Sequence, residues 1–257
     1  MRGTLVNRLR AVLDGKPPAV AVSFQNAKDT TGDMLADEAI NAGVDIAELR
    51  IDRFPQHDPH TVLEYIAGFH GIPTLATIRS AAEGGDWRES EQQRLKLFQE
   101  VIPSVDGVDV ELSSHGIAAA VVQSAKAADR VAVVSYHNFV DTPEADTLQD
   151  LLDSAVSISA DYVKISTMAK TLADIQTLAG LLLANRTTPL IVIAMGATGT
   201  LSRIFFPALG SRMTFSSIGG AFAPGQMDYE ETFHMLRKFY PEYNNTKTLD
   251  VTVHEGA

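Results

Sequence analysis

A single lysine stands inside the apolar, β-branched run Asp161-Tyr162-Val163-Lys164-Ile165-Ser166. Desolvating an ammonium between Val163 and Ile165 is costly and favours the neutral amine, and a neutral amine can attack a carbonyl to form an imine. A lysine near a strand end can equally snorkel its head into water, so Lys164 alone decides nothing. His137 follows the preceding apolar run, Val131-Ala132-Val133-Val134-Ser135-Tyr136. A lone strand-end histidine is more often a satisfied structural residue than a base. Parallel neighbours, however, lie about 4.8 Å apart, so side chains ending consecutive strands can meet. An imine-forming lysine beside a proton-transfer histidine is a catalytic pair.

Other polar residues gather at the same places in the pattern. Ser23, Glu48-Leu49-Arg50-Ile51-Asp52, Arg79, Glu111 and Met195-Gly196 each close an apolar run. Glu48 and Arg50 are two apart and share one face of their strand. They bring a carboxylate and a guanidinium to one mouth, or form an ion pair that only ties the sheet together. The segment Ser217-Ile218-Gly219-Gly220-Ala221-Phe222-Ala223-Pro224-Gly225-Gln226 has two readings. It is a phosphate cradle of glycine amides, or a mobile lid that closes over a substrate and carries Gln226 toward the mouth.

The elements that must position these groups repeat. Apolar runs span 19–24, 45–51, 74–79, 107–112, 131–136, 161–166, 190–195 and 213–218. The stretches between them carry helical periodicity. Helix-start signals stand at Thr31, at Thr142-Pro143-Glu144, and at Thr171 before Leu172-Ala173-Asp174. Continuous apolar strands alternating with helices predict a parallel sheet covered on both faces. Eight such units predict a closed (β/α)₈ TIM barrel; an open doubly wound sheet is the structural alternative. After the first run, Ser23-Phe24-Gln25-Asn26 lacks the glycines of a dinucleotide fingerprint. The expectation is one α/β barrel domain over residues 1–257, with polar 241–257 as a non-helical appendage or frayed tail.

Composition narrows the chemistry. Among 257 residues there is no cysteine, which removes disulfides, thiolate nucleophiles and cysteine-ligated metals. A formal net charge of −11 without any basic cluster argues against a nucleic-acid partner. No apolar run reaches membrane-spanning length, and the first residues lack a signal-peptide pattern. A soluble cytoplasmic protein is expected.

Seven motifs, in order, carry a resemblance: AELRIDRF, TIRSAAEGGDW, SYHNF, DYVKIS, AMGATGTLSRIFFPALGS, MTFSSI and APGQM. With them the chain resembles the type I 3-dehydroquinate dehydratases, Schiff-base enzymes of the shikimate pathway, from about Val20 to Lys238. The resemblance implies a (β/α)₈ barrel, often a homodimer, that needs neither metal nor organic cofactor. It implies a small-molecule substrate, an anionic cyclic polyol ketone. It makes Lys164 the imine lysine, His137 the general acid and base, and Glu83 the carboxylate that orients His137. Glu48, Arg50 and Arg79 would hold ring hydroxyls, Arg203 the substrate carboxylate with help from Gln226, while Ser23 and Phe215 line the pocket. One position departs from the family pattern: a serine usually stands where this chain has Phe222. Two rival readings stay open, a sugar-phosphate aldolase acting through Lys164 and the Gly219-Gly220 loop, and a non-catalytic homologue that binds a shikimate-type ligand.

Overall fold

Two alternating sets of side chains along each strand decide the architecture. The computed structural model describes residues 7–15, 18–26, 30–220 and 222–246. Its eight strands are β1 (Ala19–Phe24), β2 (Ile46–Arg50), β3 (Thr74–Thr77), β4 (Gly107–Glu111), β5 (Val131–Asn138), β6 (Tyr162–Met168), β7 (Leu190–Met195) and β8 (Met213–Ser216). All described pairings are parallel, in the order β7-β6-β5-β4-β3-β2-β1-β8. A backbone bond from Arg212 N to Leu190 O (2.8 Å) bridges β7 and β8, so the sheet rolls into a (β/α)₈ barrel.

The helices are α1 (Arg8–Leu13), α2 (Gly32–Ala42), α3 (Pro59–Gly68), α4 (Glu91–Val101), α5 (Ala118–Ala127), α6 (Ala145–Ser157), α7 (Leu172–Ala184), α8 (Ser202–Phe205), α9 (Tyr229–Phe239) and α10 (Pro241–Thr246). One strand set, including Val22, Leu49, Val110, Val134, Ile165 and Val192, packs outward in the larger core cluster with helix residues. The other set points inward and changes character along each strand. At the amino ends it is apolar: Ala19, Ala21, Ile46, Leu75, Val131, Val133, Tyr162 and Met213. Leu9 and Leu13 of α1 belong to this inner cluster and plug that end. Two to four residues further on, the same faces carry Ser23, Glu48, Arg50, Thr77, Asp109, Glu111, Ser135 and Lys164, all buried. Since side chains alternate with period two, strand parity turns every one of these groups into the barrel interior, and their places beyond the apolar layer set them toward its other end.

Aspartates just before three strands set the register. Asp45, Asp106 and Asp161 each accept a bond from a neighbouring strand's backbone, at Val20 N, Thr74 N and Ala132 N, all 2.9 Å. Thr31 caps α2, and Thr171 caps α7 with a reciprocal bond to Asp174, as their sequence predicts.

Three local expectations need correcting. Thr142 does not cap α6, whose N-cap is Glu144; its hydroxyl bonds Thr167 Oγ1 and Met168 O instead, each at 2.9 Å. Strands β5 and β6 run past the apolar runs because their ladder continues to Asn138 and Thr167, so Lys164 is the third residue of β6 rather than near its end. Residues 241–246 are helical, not structureless: Tyr243 is buried against Phe233, ring centroids 5.6 Å apart. Residues 247–257 lie outside those described. No helix among the described residues is long and apolar enough to cross a membrane.

Candidate active site

Lys164 leaves the barrel wall on β6 opposite Ser135 of β5, with its side chain in the interior. Its Nζ lies 3.1 Å from Asp109 Oδ2, 3.9 Å from Glu48 Oε1, and 4.1 Å from the centroid of the Phe215 ring. Asp109 is fully buried and is shared: Arg79 Nη2 is 2.8 Å from its other oxygen, which also accepts the Ser135 hydroxyl at 2.6 Å. Burial alone would raise the Asp109 pKa, but the Arg79 and Lys164 cations hold it well below the usual carboxylate range. Arg79 continues the network to Glu111 (3.2 Å), which takes Arg94 of α4 at 3.1 Å and the Ser80 amide at 2.7 Å. Glu48 accepts the hydroxyls of Ser23 and, at 2.9 Å, Thr77. Arg50 grips Asp52 with two bonds of 3.0 and 2.8 Å. Each charge on this side of the barrel is paired and hydrogen-bonded, as burial requires.

His137 stands two residues beyond Ser135 on the same face of β5. Glu83 Oε2 accepts from both the His137 amide (2.9 Å) and ring Nδ1 (3.0 Å). The Ser113 hydroxyl donates to the other Glu83 oxygen. Burial, and then the Arg79 and Lys164 charges, push the His137 pKa well below its ordinary value. The ring is therefore neutral at neutral pH, with its proton on Nδ1 toward Glu83 and the Nε2 lone pair free as an acceptor. Burial pushes Glu83 upward, against the Ser113 bond and the Arg79 charge. Phe139 stacks on the imidazole at 6.5 Å, and Gly84 makes room for it: a Cβ there would meet the Phe139 ring at 2.6 Å, and its φ of +78° suits glycine.

Arg203, on α8, approaches from the opposite side. It is 2% exposed, yet no carboxylate among the described residues meets it; its donors go to the carbonyls of Gly225 (2.8 Å), Phe215 (3.1 Å) and Pro224 (3.4 Å). Desolvation lowers its pKa to about 10. A buried guanidinium facing only carbonyls is built to receive an anion. Gln226 does not extend freely into the mouth. Its Oε1 accepts the Phe222 and Ala223 amides at 2.6 and 3.2 Å, and its Nε2 donates to Ser216 O at 2.9 Å. The side chain thereby folds the loop after β8 over the cavity.

A family model described as Type I 3-dehydroquinase matches residues 19–241. The chain belongs to the type I 3-dehydroquinase family. Within that family it is 37% identical to a 3-dehydroquinate dehydratase of Methanothermobacter thermautotrophicus over 207 residues, 80% of this chain and 90% of that one. Among solved structures, the 3-dehydroquinate dehydratase of Geobacillus kaustophilus superposes with a TM-score of 0.83 at 28% identity, covering 91% of this chain and 94% of that one. That of Aquifex aeolicus gives 0.75 at 34% identity, covering 86% and 99%.

The ten residues singled out in this type I 3-dehydroquinase's sequence, Lys164, His137, Glu83, Ser23, Glu48, Arg50, Arg79, Arg203, Phe215 and Gln226, all border one cavity of about 70 Å³. A larger cleft of about 390 Å³ opens at the other end of the barrel, beside Pro18, Leu190 and Arg212, and among the described residues no lysine, histidine or carboxylate lines it. Sequence reading missed Asp109, the partner shared by Lys164 and Arg79, and Ser113, which holds Glu83. Asp109 was within reach: it stands two residues before Glu111 and so shares its face. Ser113 had no such signal, since it lies in a turn.

Proposed function

We propose that this chain dehydrates 3-dehydroquinate to 3-dehydroshikimate through an imine on Lys164. The observation that carries the reading is the pairing of two unlike halves in one cavity: an amine beside a neutral, carboxylate-oriented histidine, and a buried arginine with no acidic partner among the described residues. The amine, once neutral, attacks the C3 ketone and water leaves, giving a protonated imine that acts as an electron sink. His137 Nε2 removes a proton from C2 and the electron pair moves to the imine nitrogen, forming an enamine. The enamine returns its pair, the bond from C1 to its hydroxyl breaks, and protonated His137 gives the departing oxygen its proton. Water then hydrolyses the conjugated imine, releasing the product and Lys164.

The remaining residues orient the ring. Arg203 pairs with the C1 carboxylate. Glu48, Arg50 and Arg79 hold ring hydroxyls, Ser23 and Phe215 line the wall, and Glu83 keeps the imidazole in its working tautomer. Gln226 contributes by holding the loop closed. Gln226 draws the loop over the cavity through the Phe222 and Ala223 amides, which supports the lid reading, and a buried Arg203 suited to a carboxylate favours the dehydratase over a sugar-phosphate aldolase. A single-domain organisation, a cytoplasmic location and a homodimer belong to the same proposal; limited proteolysis, cell fractionation and solution mass test them.

The decisive experiment is intact mass after mixing the protein with 3-dehydroquinate and reducing with borohydride. An adduct on Lys164 that has lost the C1 hydroxyl as water is expected. An adduct retaining that hydroxyl would mark a binder that forms the imine without eliminating, and no adduct would sink the covalent mechanism.

A further inference from the structure

Glu83 stabilises a protonated His137 only as an anion, since a carboxylate is purely an acceptor when ionised and carries a proton of its own when neutral. Burial works against the anion and pushes the Glu83 pKa upward. Oε2 is taken by the amide and Nδ1 of His137. Oε1 takes the Ser113 hydroxyl, and this bond leads the influences that draw Glu83 back toward its charged form, ahead of the Arg79 charge.

The sheet order gives Ser113 this place. Strand β4 lies between β3 and β5. Glu83 ends the single-turn segment Ala81–Glu83 that follows β3, and His137 is on β5, so the turn after β4 stands between the elements that carry them. That turn is held without the Ser113 side chain. Leu112 N donates to Ser135 O at 2.8 Å and Ser114 N to Glu111 O at 3.1 Å, while Ser114 Oγ bonds Arg94 and Glu111. Ser113 itself is exposed, so losing its hydroxyl opens no core cavity and leaves the turn in place.

Resting on the dehydratase reading above, we propose that Ser113 is a positioning residue of the reaction: its hydroxyl keeps Glu83 ionised and aimed at His137, and so sets how far into acid His137 can still take the C2 proton. Ser113 does not border the cavity and acts through Glu83. The charged groups facing the Glu83–His137 pair are Arg50 of β2, Arg79 just past β3, Asp109 and Glu111 of β4, and Lys164 of β6. All of them remain when the Ser113 hydroxyl is removed, so the difference between the two proteins reports one bond. Without that donor the negative charge on Glu83 is less spread, and the pair holds a proton more tightly. His137 is then disabled as a base at a higher pH.

The test is the pH profile of kcat/KM for 3-dehydroquinate in wild type, Ser113→Ala and Ser113→Thr. Ser113→Ala should move the acid limb upward by about 0.5–1 pH unit, the scale of one hydrogen bond to a charged group in a partly wet place. On the plateau its kcat should fall about three- to tenfold, as a lost positioning bond implies, with KM little changed because no substrate contact is removed. Ser113→Thr keeps a hydroxyl and should restore both. An unmoved acid limb in Ser113→Ala, an equal shift in both variants, or a change confined to KM would overturn the role of Ser113 while wild-type turnover leaves the dehydratase reading intact. Wild type that neither turns over 3-dehydroquinate nor traps it under borohydride would overturn that reading, and the role of Ser113 with it.

Discussion

The two sides of the active cavity solve opposite electrostatic problems. Toward β2–β6, Asp109, Arg79, Glu111, Arg94 and Lys164 form a buried network in which each charge has an opposite partner, mostly on the rigid strands. Toward β7–β8, Arg203 is as deeply buried but among the described residues meets only backbone carbonyls, two of them on a loop. The first side is complete without a ligand; the second is completed by one. A buried charge left without its counter-charge is held at a cost, and the protein keeps that cost where the substrate's carboxylate can offset it.

The largest effect should come from breaking the complete side at its reactive member. Lys164→Ala should lower kcat by roughly 10⁴-fold or more, the scale of removing a nucleophile, and leave no borohydride adduct; appreciable turnover in that variant would end the covalent mechanism. His137→Ala should lower kcat by about 10²–10⁴-fold while the lysine still forms a trappable adduct retaining the C1 hydroxyl. Loss of trapping in that variant would mean His137 is needed for imine formation itself.

Stability separates the two sides next. Asp109→Asn breaks a buried pair and leaves Lys164 and Arg79 short of a counter-charge, at a cost of about 3–5 kcal/mol in denaturant unfolding. Arg203→Met should cost clearly less, because no carboxylate is orphaned, yet raise KM about 10- to 100-fold, the worth of a lost charge-assisted bond. Equal destabilisation by both substitutions would erase the contrast between the sides.

The smallest effect concerns pH. The folded His137 pKa is depressed, whereas the unfolded ring takes a proton near pH 6.5. Its contribution to stability is fully present above about pH 6.5 and is lost as pH falls toward the folded value. The acid limb of kcat/KM should accordingly lie below pH 6.5, and His137→Asn should flatten the fall of the unfolding free energy between pH 7 and 5. An acid limb at or above 6.5 would show the imidazole to be less desolvated than its burial indicates.

Much of this was legible in the residues. The eight apolar runs specify eight strands because burial on both faces demands continuous hydrophobic sequence. The polar residues closing those runs mark one end of the barrel, and the caps at Thr31 and Thr171 follow from local hydrogen-bond chemistry. Strand ends were less legible, since β5 and β6 extend on backbone ladder bonds that have no side-chain signature. Thr142 shows why a cap signal can fail: neighbouring Thr167 and Met168 offered its hydroxyl better partners than the helix did.

By itself the sequence determined the barrel, the end of it that carries charge, and the amine and imidazole that must meet there, because periodicity and residue type are local properties of the chain. Only the tertiary structure decided which charges pair. Asp109 lies 55 residues from Lys164 and is shared with Arg79, and Arg203 meets no carboxylate among the described residues. Such pairings depend on strand register and on which side of the mouth a loop closes, and those distances exist only once the sheet has rolled up.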